Sequence, residues 1–121
     1  MKWFTPITGG YTSGTRLNQF SLAGHQLAPL ICFEDTFPHH VRDHVNADTD
    51  LLVNLTNDGW FGQSAAQWQH LASAALRAVE NGRPLLRCCN NGITCWIDAQ
   101  GRMRQLLQST QGSEYDAGFA T

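Results

Sequence analysis

The chain has 121 residues, of which 42% are hydrophobic and 15% charged, and its formal net charge is −2, so it holds at most one globular domain with a modest core. This charge balance excludes a basic surface of the kind that binds nucleic acid, and no run reaches the roughly 20 apolar residues that cross a bilayer. The four cysteines have neither the density of a disulfide scaffold nor the spacing of a zinc site, so we expect no metal and no cofactor.

Residues 1–15 have the composition of a loop, and the first regular element is a hairpin. Its arms are residues 17–22 and 27–32, with Ala23 and Gly24 at the turn. The second arm is a continuous apolar run of the kind found in strands buried on both faces, and it gives way to polar residues directly after Cys32. Cys32 is therefore predicted to lie at the carboxyl end of a buried strand.

A helix is predicted directly after this strand. Thr36 is a good N-cap and Pro38 suits the first helical turn. The helix should end near Asp48, because residues 51–55 form a new apolar run. Strand, helix and strand then make a parallel, right-handed β-α-β unit. The buried stripe of the helix recurs at four-residue spacing and consists of Phe37, Val41 and Val45.

Two features favour Cys32 as a nucleophile. Ligands of open sheets usually bind in the crevice at the carboxyl ends of the strands, and a helix N-terminus stabilises a nearby thiolate. The alternative is a buried core cysteine, since free cysteine is among the most buried residue types. Histidine bases are not favoured for such a thiol, because His39, His40 and His44 are predicted on the solvated side of the helix.

Residues 54–62, NLTNDGWFG, are predicted to form a loop at the carboxyl end of the next parallel strand. This end lies on the same sheet edge as Cys32. Trp60 and Phe61 are flanked by two glycines. A turn does not require two large aromatic rings, so both residues are candidates for lining a pocket. The alternative is that these rings cap the core, with Trp60 packed under the following helix against Trp68.

The clearest helical pattern follows this loop. Ser64 and Gln67 suggest a capping box at its start, and Asn81-Gly82 ends it. His70 lies next to the apolar face and is interpreted as a structural residue. The apolar face is predicted to consist of Trp68, Leu71, Ala72, Ala75, Leu76 and Val79.

The remaining pattern predicts the other edge of the sheet. Residues 85–89 form a third buried strand, and Ile93, Cys95 and Ile97 then alternate with polar or exposed positions. A turn at residues 98–101 leads into a final strand at residues 103–107. Cys88, Cys89 and Cys95 are interpreted as structural cysteines.

Five ordered segments between about residues 29 and 101 resemble the carboxyl-terminal part of the carbon-nitrogen hydrolase (nitrilase) superfamily. They are PLICFEDTFP, NLTNDGWFG, QH, RAVENGRPLLR and NNGITCWID. Within that superfamily they are most similar to the apolipoprotein N-acyltransferases. The resemblance implies an α/β fold of the α-β-β-α sandwich type, of which residues 1–121 would form about the last half.

The resemblance also implies the roles of individual residues. In the family's Glu-Lys-Cys triad, the cysteine of the I-C-[YF]-E motif is the nucleophile, which here is Cys32. The backbone N–H of Phe33 would lie beside the oxyanion, and Glu34 would support the site. Asn57, Trp60 and Phe61 would belong to the substrate-side loop.

The triad is incomplete in this chain. No Asp or Glu precedes Cys32, and Lys2 is too close to Cys32 in sequence to be the family's lysine. We therefore expect the chain to be a truncated part of a longer protein, whose membrane segments lie outside it and whose exposed sheet face makes the isolated chain self-associate. A non-catalytic domain remains an alternative.

By resemblance, the intact protein is an N-acyltransferase of the bacterial inner membrane, with its catalytic domain on the periplasmic side. It would transfer an acyl chain from a phospholipid donor to the N-terminal cysteine amine of a lipoprotein acceptor through a thioester on the nucleophile. The alternative is a soluble amidase or nitrilase of the same superfamily.

Overall fold

One mixed β-sheet organises the part of the chain that the structure describes, and its six strands follow one another in chain order across the sheet. The structure is a computed structural model that describes residues 12, 14–108 and 112–113. Pairs β2–β3 and β3–β4 are parallel, and the remaining pairs are antiparallel. The strands are β1 (Phe20–Leu22), β2 (His25–Ile31), β3 (Thr49–Asn57), β4 (Leu85–Asn90), β5 (Cys95–Ile97) and β6 (Met103–Leu106).

The predicted hairpin, parallel unit and antiparallel edge are all confirmed by this topology. The loop predicted for residues 1–15 falls largely outside the described residues, and Lys2 lies outside them. β3 continues through Asn57, so the stretch predicted as a loop from residue 54 begins four residues later, at Asp58. Asn54 therefore lies within the sheet, where its side chain can reach the neighbouring strand end.

Two helices connect the parallel strands. α1 (Pro38–His44) joins β2 to β3, and α2 (Ala65–Asn81) joins β3 to β4. Because right-handed crossovers between neighbouring strands keep to one side, both helices lie on the same face of the sheet. Neither helix is long and apolar enough to cross a membrane, within the residues described. The core between helices and sheet consists of Ala28, Leu30, Val41, Leu52, Leu71, Ala74, Ala78, Leu85, Ile93, Cys95 and Ile97.

The other sheet face is apolar and exposed. Ile31 and Leu55 pair in register and are 56% and 48% exposed. The prediction that β2 is buried on both faces is therefore wrong, and the same correction applies to β4, where Leu86 and Cys88 are exposed. The reason is that the described chain covers the sheet with one helical layer only. One sheet and one helical layer are half of an α-β-β-α sandwich, and the predicted self-association of the isolated chain would involve this open face.

The predicted bounds of α1 need correction. Thr36 is not its N-cap, because Thr36 belongs to the preceding 3₁₀ turn and its hydroxyl donates to the Phe33 carbonyl at 2.7 Å. The helix begins after Phe37 and ends at His44 rather than near Asp48. In the predicted stripe, Val41 is buried, but Phe37 is 60% exposed.

The ends of α2 are as predicted, but its buried face is not. Ser64 is the N-cap, and Gly82 ends the helix at a φ of 60°. Gln67 does not complete a capping box, since its amide donates to the Gly62 carbonyl at 2.7 Å. Trp68, Leu76 and Val79 are exposed by 43%, 56% and 50%. The buried face instead combines apolar and polar residues, which are Gln67, His70, Leu71, Ala74, Arg77 and Ala78.

Candidate active site

Cys32 follows β2 directly and opens a 3₁₀ turn, Cys32–Thr36, which we call the elbow. Its location at the carboxyl end of a parallel strand is as predicted. Its backbone has a φ of 54°, a left-handed conformation that costs a residue with a side chain about 1–2 kcal/mol. The thiol is free and partly exposed. The surrounding structure must therefore stabilise this conformation while leaving the residue partly exposed.

Two side-chain hydrogen bonds hold the backbone on either side of the Cys32 α-carbon. The Glu34 carboxylate accepts a hydrogen bond from the Ile31 N–H at 2.6 Å. The Asn54 amide donates to the Cys32 carbonyl at 2.9 Å. The second oxygen of Glu34 lies 3.7 Å from His40 Nε2. Glu34, predicted as a supporting residue, thus lies at the elbow, whereas Asn54 was not among the predicted site residues.

Phe33 and Phe61 come together beside the elbow. Their ring centroids are 5.7 Å apart in an edge-to-face arrangement. Both rings line a cavity of about 260 Å³ together with residues of α2. Phe61 belongs to a 3₁₀ turn, Gly59–Phe61, whose start is fixed by the Asn57 side chain, which accepts from the Gly59 N–H at 3.0 Å. The structure therefore brings predicted substrate-side residues close to the residue that follows Cys32.

Trp60 lies on the same turn and is 63% exposed. This exposure does not fit the alternative in which Trp60 packs under α2 against Trp68. Trp60 does not line the cavity described above, so Phe61 is the better placed of the two rings.

A buried charged cluster lies behind the elbow, and of its members sequence analysis identified only His70, as a structural residue. It consists of Asp35, Asp58, His70 and Arg87, whose side chains are at most 1% exposed. His70 contacts Asp35 through Nε2 at 2.8 Å and Asp58 through Nδ1 at 2.9 Å. Arg87 donates to Asp35 at 2.9 Å and to Asp58 at 2.7 Å. A charged residue inside the apolar run LLRCC was the signal that could have revealed the cluster, because arginine is rarely buried without partners.

The cluster joins the elbow, the β3 end, α2 and β4. Two carboxylates and the Arg87 guanidinium leave one net negative charge beside the His70 ring. Burial alone lowers the pKa of His70 and the Arg87 guanidinium lowers it further, but the hydrogen bonds to Asp35 and Asp58 and the charge of Asp35 outweigh both, and the pKa is raised above 6.5. His70 also stacks on Phe33, with ring centroids 4.6 Å apart and an interplanar angle of 16°.

The pKa of Asp58 shifts in the opposite direction. Burial raises it, but the charge of Arg87 and the hydrogen bond to His70 outweigh burial and hold it below 3.8. A carboxyl group whose pKa is lowered by folding stabilises the folded protein at pH values above its unfolded-state pKa. This stabilisation is lost as the pH falls through its folded-state pKa. A histidine whose pKa is raised by folding stabilises the folded protein at pH values below its unfolded-state pKa of about 6.5. This stabilisation is lost as the pH rises through its folded-state pKa.

We therefore predict that this cluster stabilises the full-length protein most between about pH 4 and 6.5, the interval between the two unfolded-state pKa values. Unfolding free energies across pH 3 to 9 would measure this. His70→Gln should remove much of the decline above pH 6.5, whereas His39→Gln, at an exposed position, should leave the decline in place. An undiminished decline in His70→Gln would show that His70 does not cause it.

Two other cysteines neighbour the charged cluster, Cys89 beside Asp58 and Cys95 near Arg87. Burial raises the pKa of Cys89 to about 11 and that of Cys95 to about 11. His44 is buried and contacts the Asn18 carbonyl at 3.1 Å, so its predicted position on the solvated side of α1 is wrong. No group of three His, Cys, Asp or Glu residues suited to a metal ion occurs in the described part of the chain.

Residues 4–113 match the model of the carbon-nitrogen hydrolase family. The chain belongs to this family. Two curated relatives are both apolipoprotein N-acyltransferases. The chain is 48% identical to the one from Shewanella oneidensis over 87 residues, which are 72% of this chain and 17% of the relative. It is 43% identical to the one from Geobacter metallireducens over 96 residues, which are 79% of this chain and 18% of the relative. The chain therefore spans less than a fifth of either relative.

A solved structure shares the fold of the carbon-nitrogen hydrolase chain. It is an amidase of the nitrilase superfamily from Nesterenkonia sp. AN1, with a TM-score of 0.61 and 21% sequence identity. The match covers 80% of this chain and 41% of the amidase. In that structure, acrylamide has added to the active-site cysteine. The predicted superfamily and α/β fold class are thus confirmed, with this chain as part of the domain.

Proposed function

We propose that this chain is the nucleophile-bearing part of an apolipoprotein N-acyltransferase, which transfers an acyl chain from a phospholipid to the N-terminal amine of a lipoprotein. The observation that carries the proposal is Cys32, a partly exposed thiol on a left-handed elbow at the end of a parallel strand. Identities of 48% and 43% to proteins of that name support the assignment. The full-length protein would act at the bacterial inner membrane, with its catalytic domain on the periplasmic side.

In the proposed reaction, the Cys32 thiolate attacks the ester carbonyl of the phospholipid. The tetrahedral intermediate collapses to a thioester and releases the lysophospholipid alcohol, which takes up a proton. The α-amine of the lipoprotein cysteine then attacks the thioester, an amide forms, and the Cys32 thiol is regenerated. By family resemblance, a glutamate outside this chain accepts the thiol proton and a lysine outside it stabilises the oxyanion.

Phe33 and Glu34 have distinct supporting roles in this proposal. The Phe33 backbone N–H donates to the oxyanion that forms on the attacked carbonyl. Glu34 touches no reacting group. Its hydrogen bond to the Ile31 N–H at 2.6 Å holds the strand end from which the elbow turns, and this contact supports its assignment as a positioning residue.

Asn57, Trp60 and Phe61 form the acyl-donor side of the site in this proposal. The Phe33 and Phe61 rings give one cavity an aromatic wall, which suits a lipid chain better than a small polar amide. Asn57 fixes the turn that carries both aromatic residues.

We predict that Phe61→Ala in the full-length protein lowers kcat/KM for the phospholipid donor by about 10-fold or more, the loss expected for one large apolar contact. Trp60→Ala should have a smaller effect, because its ring does not line the cavity. Steady-state kinetics with varied phospholipid would measure both. Trp68→Ala, on the exposed side of α2, is the matched control and should leave kcat/KM unchanged. An equal loss in all three variants would argue against an acyl-binding role.

A soluble amidase is the second candidate, because the amidase structure shares the fold. The full-length protein should be incubated with phospholipid and a diacylated lipopeptide, and in parallel with short aliphatic amides. We expect an N-acylated lipopeptide and one equivalent of lysophospholipid, without ammonia from the amides. Ammonia release without lipopeptide acylation would favour the amidase and overturn the proposed function.

A further inference from the structure

Asn54 is the side chain that contacts the Cys32–Phe33 peptide group. It lies on β3, directly beside the end of β2, and is fully buried. Its amide nitrogen donates to the Cys32 carbonyl at 2.9 Å. The contact joins residues 22 positions apart in sequence. It reaches the backbone of Cys32, a residue that stays partly exposed.

The orientation of the Asn54 amide is fixed from its other side. Its oxygen accepts from Arg87 Nη1 at 3.2 Å, and Arg87 is held by Asp35 and Asp58. A flipped amide would place its oxygen against the Cys32 carbonyl and its NH₂ against the guanidinium, so both contacts would become repulsive. The buried cluster thus fixes the direction in which Asn54 donates.

The Cys32 carbonyl and the Phe33 N–H belong to one peptide group. A peptide group is planar, and in the trans form its C=O and N–H point in opposite directions. A hydrogen bond that fixes the carbonyl therefore also fixes the direction of the N–H. Cys32 has a left-handed φ of 54°, and this backbone conformation sets the direction of the peptide group that follows it.

We propose that Asn54 is a positioning residue that orients the Cys32–Phe33 peptide group, so that the Phe33 N–H points at the oxyanion formed when Cys32 is acylated. The inference rests on the proposed function for the choice of nucleophile, and it does not depend on which acyl donor is used. Asn54 itself contacts no reacting atom. Arg87 acts one step further away by holding the Asn54 amide, and Asp35 and Asp58 in turn hold Arg87.

Two reactions of the same thiol separate this role from a merely structural one. Acylation by an activated ester passes through an oxyanion, whereas alkylation by iodoacetamide is a displacement at carbon that forms none. Removal of a well-placed oxyanion donor costs about 10²–10³-fold in rate. A misdirected donor should therefore slow acylation and leave alkylation of Cys32 nearly unchanged.

The test uses the full-length protein and the variants Asn54→Asp and Asn54→Leu. Asn54→Asp keeps the size of the side chain and an oxygen for Arg87 but removes the donor to the Cys32 carbonyl. Asn54→Leu removes both contacts. Asn46→Asp, in the exposed loop before β3, is the matched control. The p-nitrophenolate burst from p-nitrophenyl butyrate measures acylation, and site-resolved mass spectrometry with iodoacetamide measures alkylation of each cysteine.

We expect both Asn54 variants to lower the acylation rate constant at saturating ester by at least about 10-fold, with little change in the ester concentration that gives half-saturation. Alkylation of Cys32 should stay within about 3-fold of wild type, a range too small to account for the slower acylation. Alkylation of the buried Cys95 should not increase. Unchanged acylation would overturn the inference, as would a parallel loss of acylation and alkylation or a rise in Cys95 alkylation.

The two proposals can fail separately. A wild-type burst with p-nitrophenyl butyrate but no acyl transfer from phospholipid would overturn the proposed function, and the Asn54 comparison would still decide the positioning role. Acyl transfer from phospholipid with equal acylation rates in wild type and both Asn54 variants would support the proposed function and overturn the positioning role of Asn54. Absence of any burst in the wild-type protein would overturn both.

Discussion

Replacement of Cys32 by serine in the full-length protein should reduce acyl transfer from phospholipid by at least about a thousandfold, as expected when a covalent nucleophile is lost. A serine hydroxyl is far less acidic than a thiol, so the same proton acceptor leaves it almost entirely un-ionised. Formation of lysophospholipid and of acylated lipopeptide should fall together, since both depend on the acyl-enzyme.

Cys88→Ser is the matched control for this prediction. Cys88 is an exposed thiol on β4, and its replacement makes the same change of sulfur to oxygen away from the elbow. It should leave both products unchanged. Acyl transfer by Cys32→Ser at a rate near that of Cys88→Ser would show that Cys32 is not the nucleophile.

Replacement of Arg87 by methionine should cause a large loss of folding stability. Without the guanidinium, the carboxylates of Asp35 and Asp58 remain buried with only His70 between them. Removal of one partner from a buried ion pair typically costs about 3–5 kcal/mol. Unfolding of the full-length protein by denaturant would measure this loss.

Arg104→Met is the control for the Arg87 prediction. Arg104 contacts Asp98 at 2.6 Å, but its side chain is 46% exposed, so the loss should be below about 1 kcal/mol. Similar losses in the two variants would contradict the view that the buried cluster stabilises the fold. The buried cluster also orients Asn54 through Arg87. The same contacts that stabilise the fold therefore help to fix the geometry of the elbow.

The elements that could be predicted from sequence are those with local signals. A continuous apolar run followed by polar residues marks the end of β2, and a helical segment between two apolar runs specifies the parallel unit. Ser64 and Gly82 mark the ends of α2 through capping preferences that involve only neighbouring residues. The position of Cys32 at a strand end follows from these local patterns alone.

The buried face of α2 could not be predicted from its apolar pattern. That pattern placed Trp68 and Leu76 on the buried side, whereas His70 and Arg77 are buried instead. His70 is tolerated in the interior because its partners come from Asp35 and Asp58, which are 35 and 12 residues away. Hydropathy periodicity carries no information about such pairings, so a partnered polar face is assigned to solvent.

The same limit applied to the elbow. Cys32 was recognisable as a candidate, but the Asn54 contact depends on the register between β2 and β3, where Leu30 lies beside Asn54. Arg87 reaches Asp35 across 52 residues. The family resemblance pointed to Asn57 rather than to Asn54. Only the assembled sheet shows that the amide beside the elbow is Asn54.

The most direct test of the central claim is mass spectrometry of the peptide that contains Cys32 after incubation of the full-length protein with phospholipid and no acceptor. We predict a mass increase equal to one acyl chain on Cys32, which neutral hydroxylamine removes and a lipopeptide amine discharges to form the N-acylated product. Acyl transfer to the lipopeptide with Cys32 unmodified, or with the acyl chain on another residue, would contradict the assignment of Cys32 as the nucleophile.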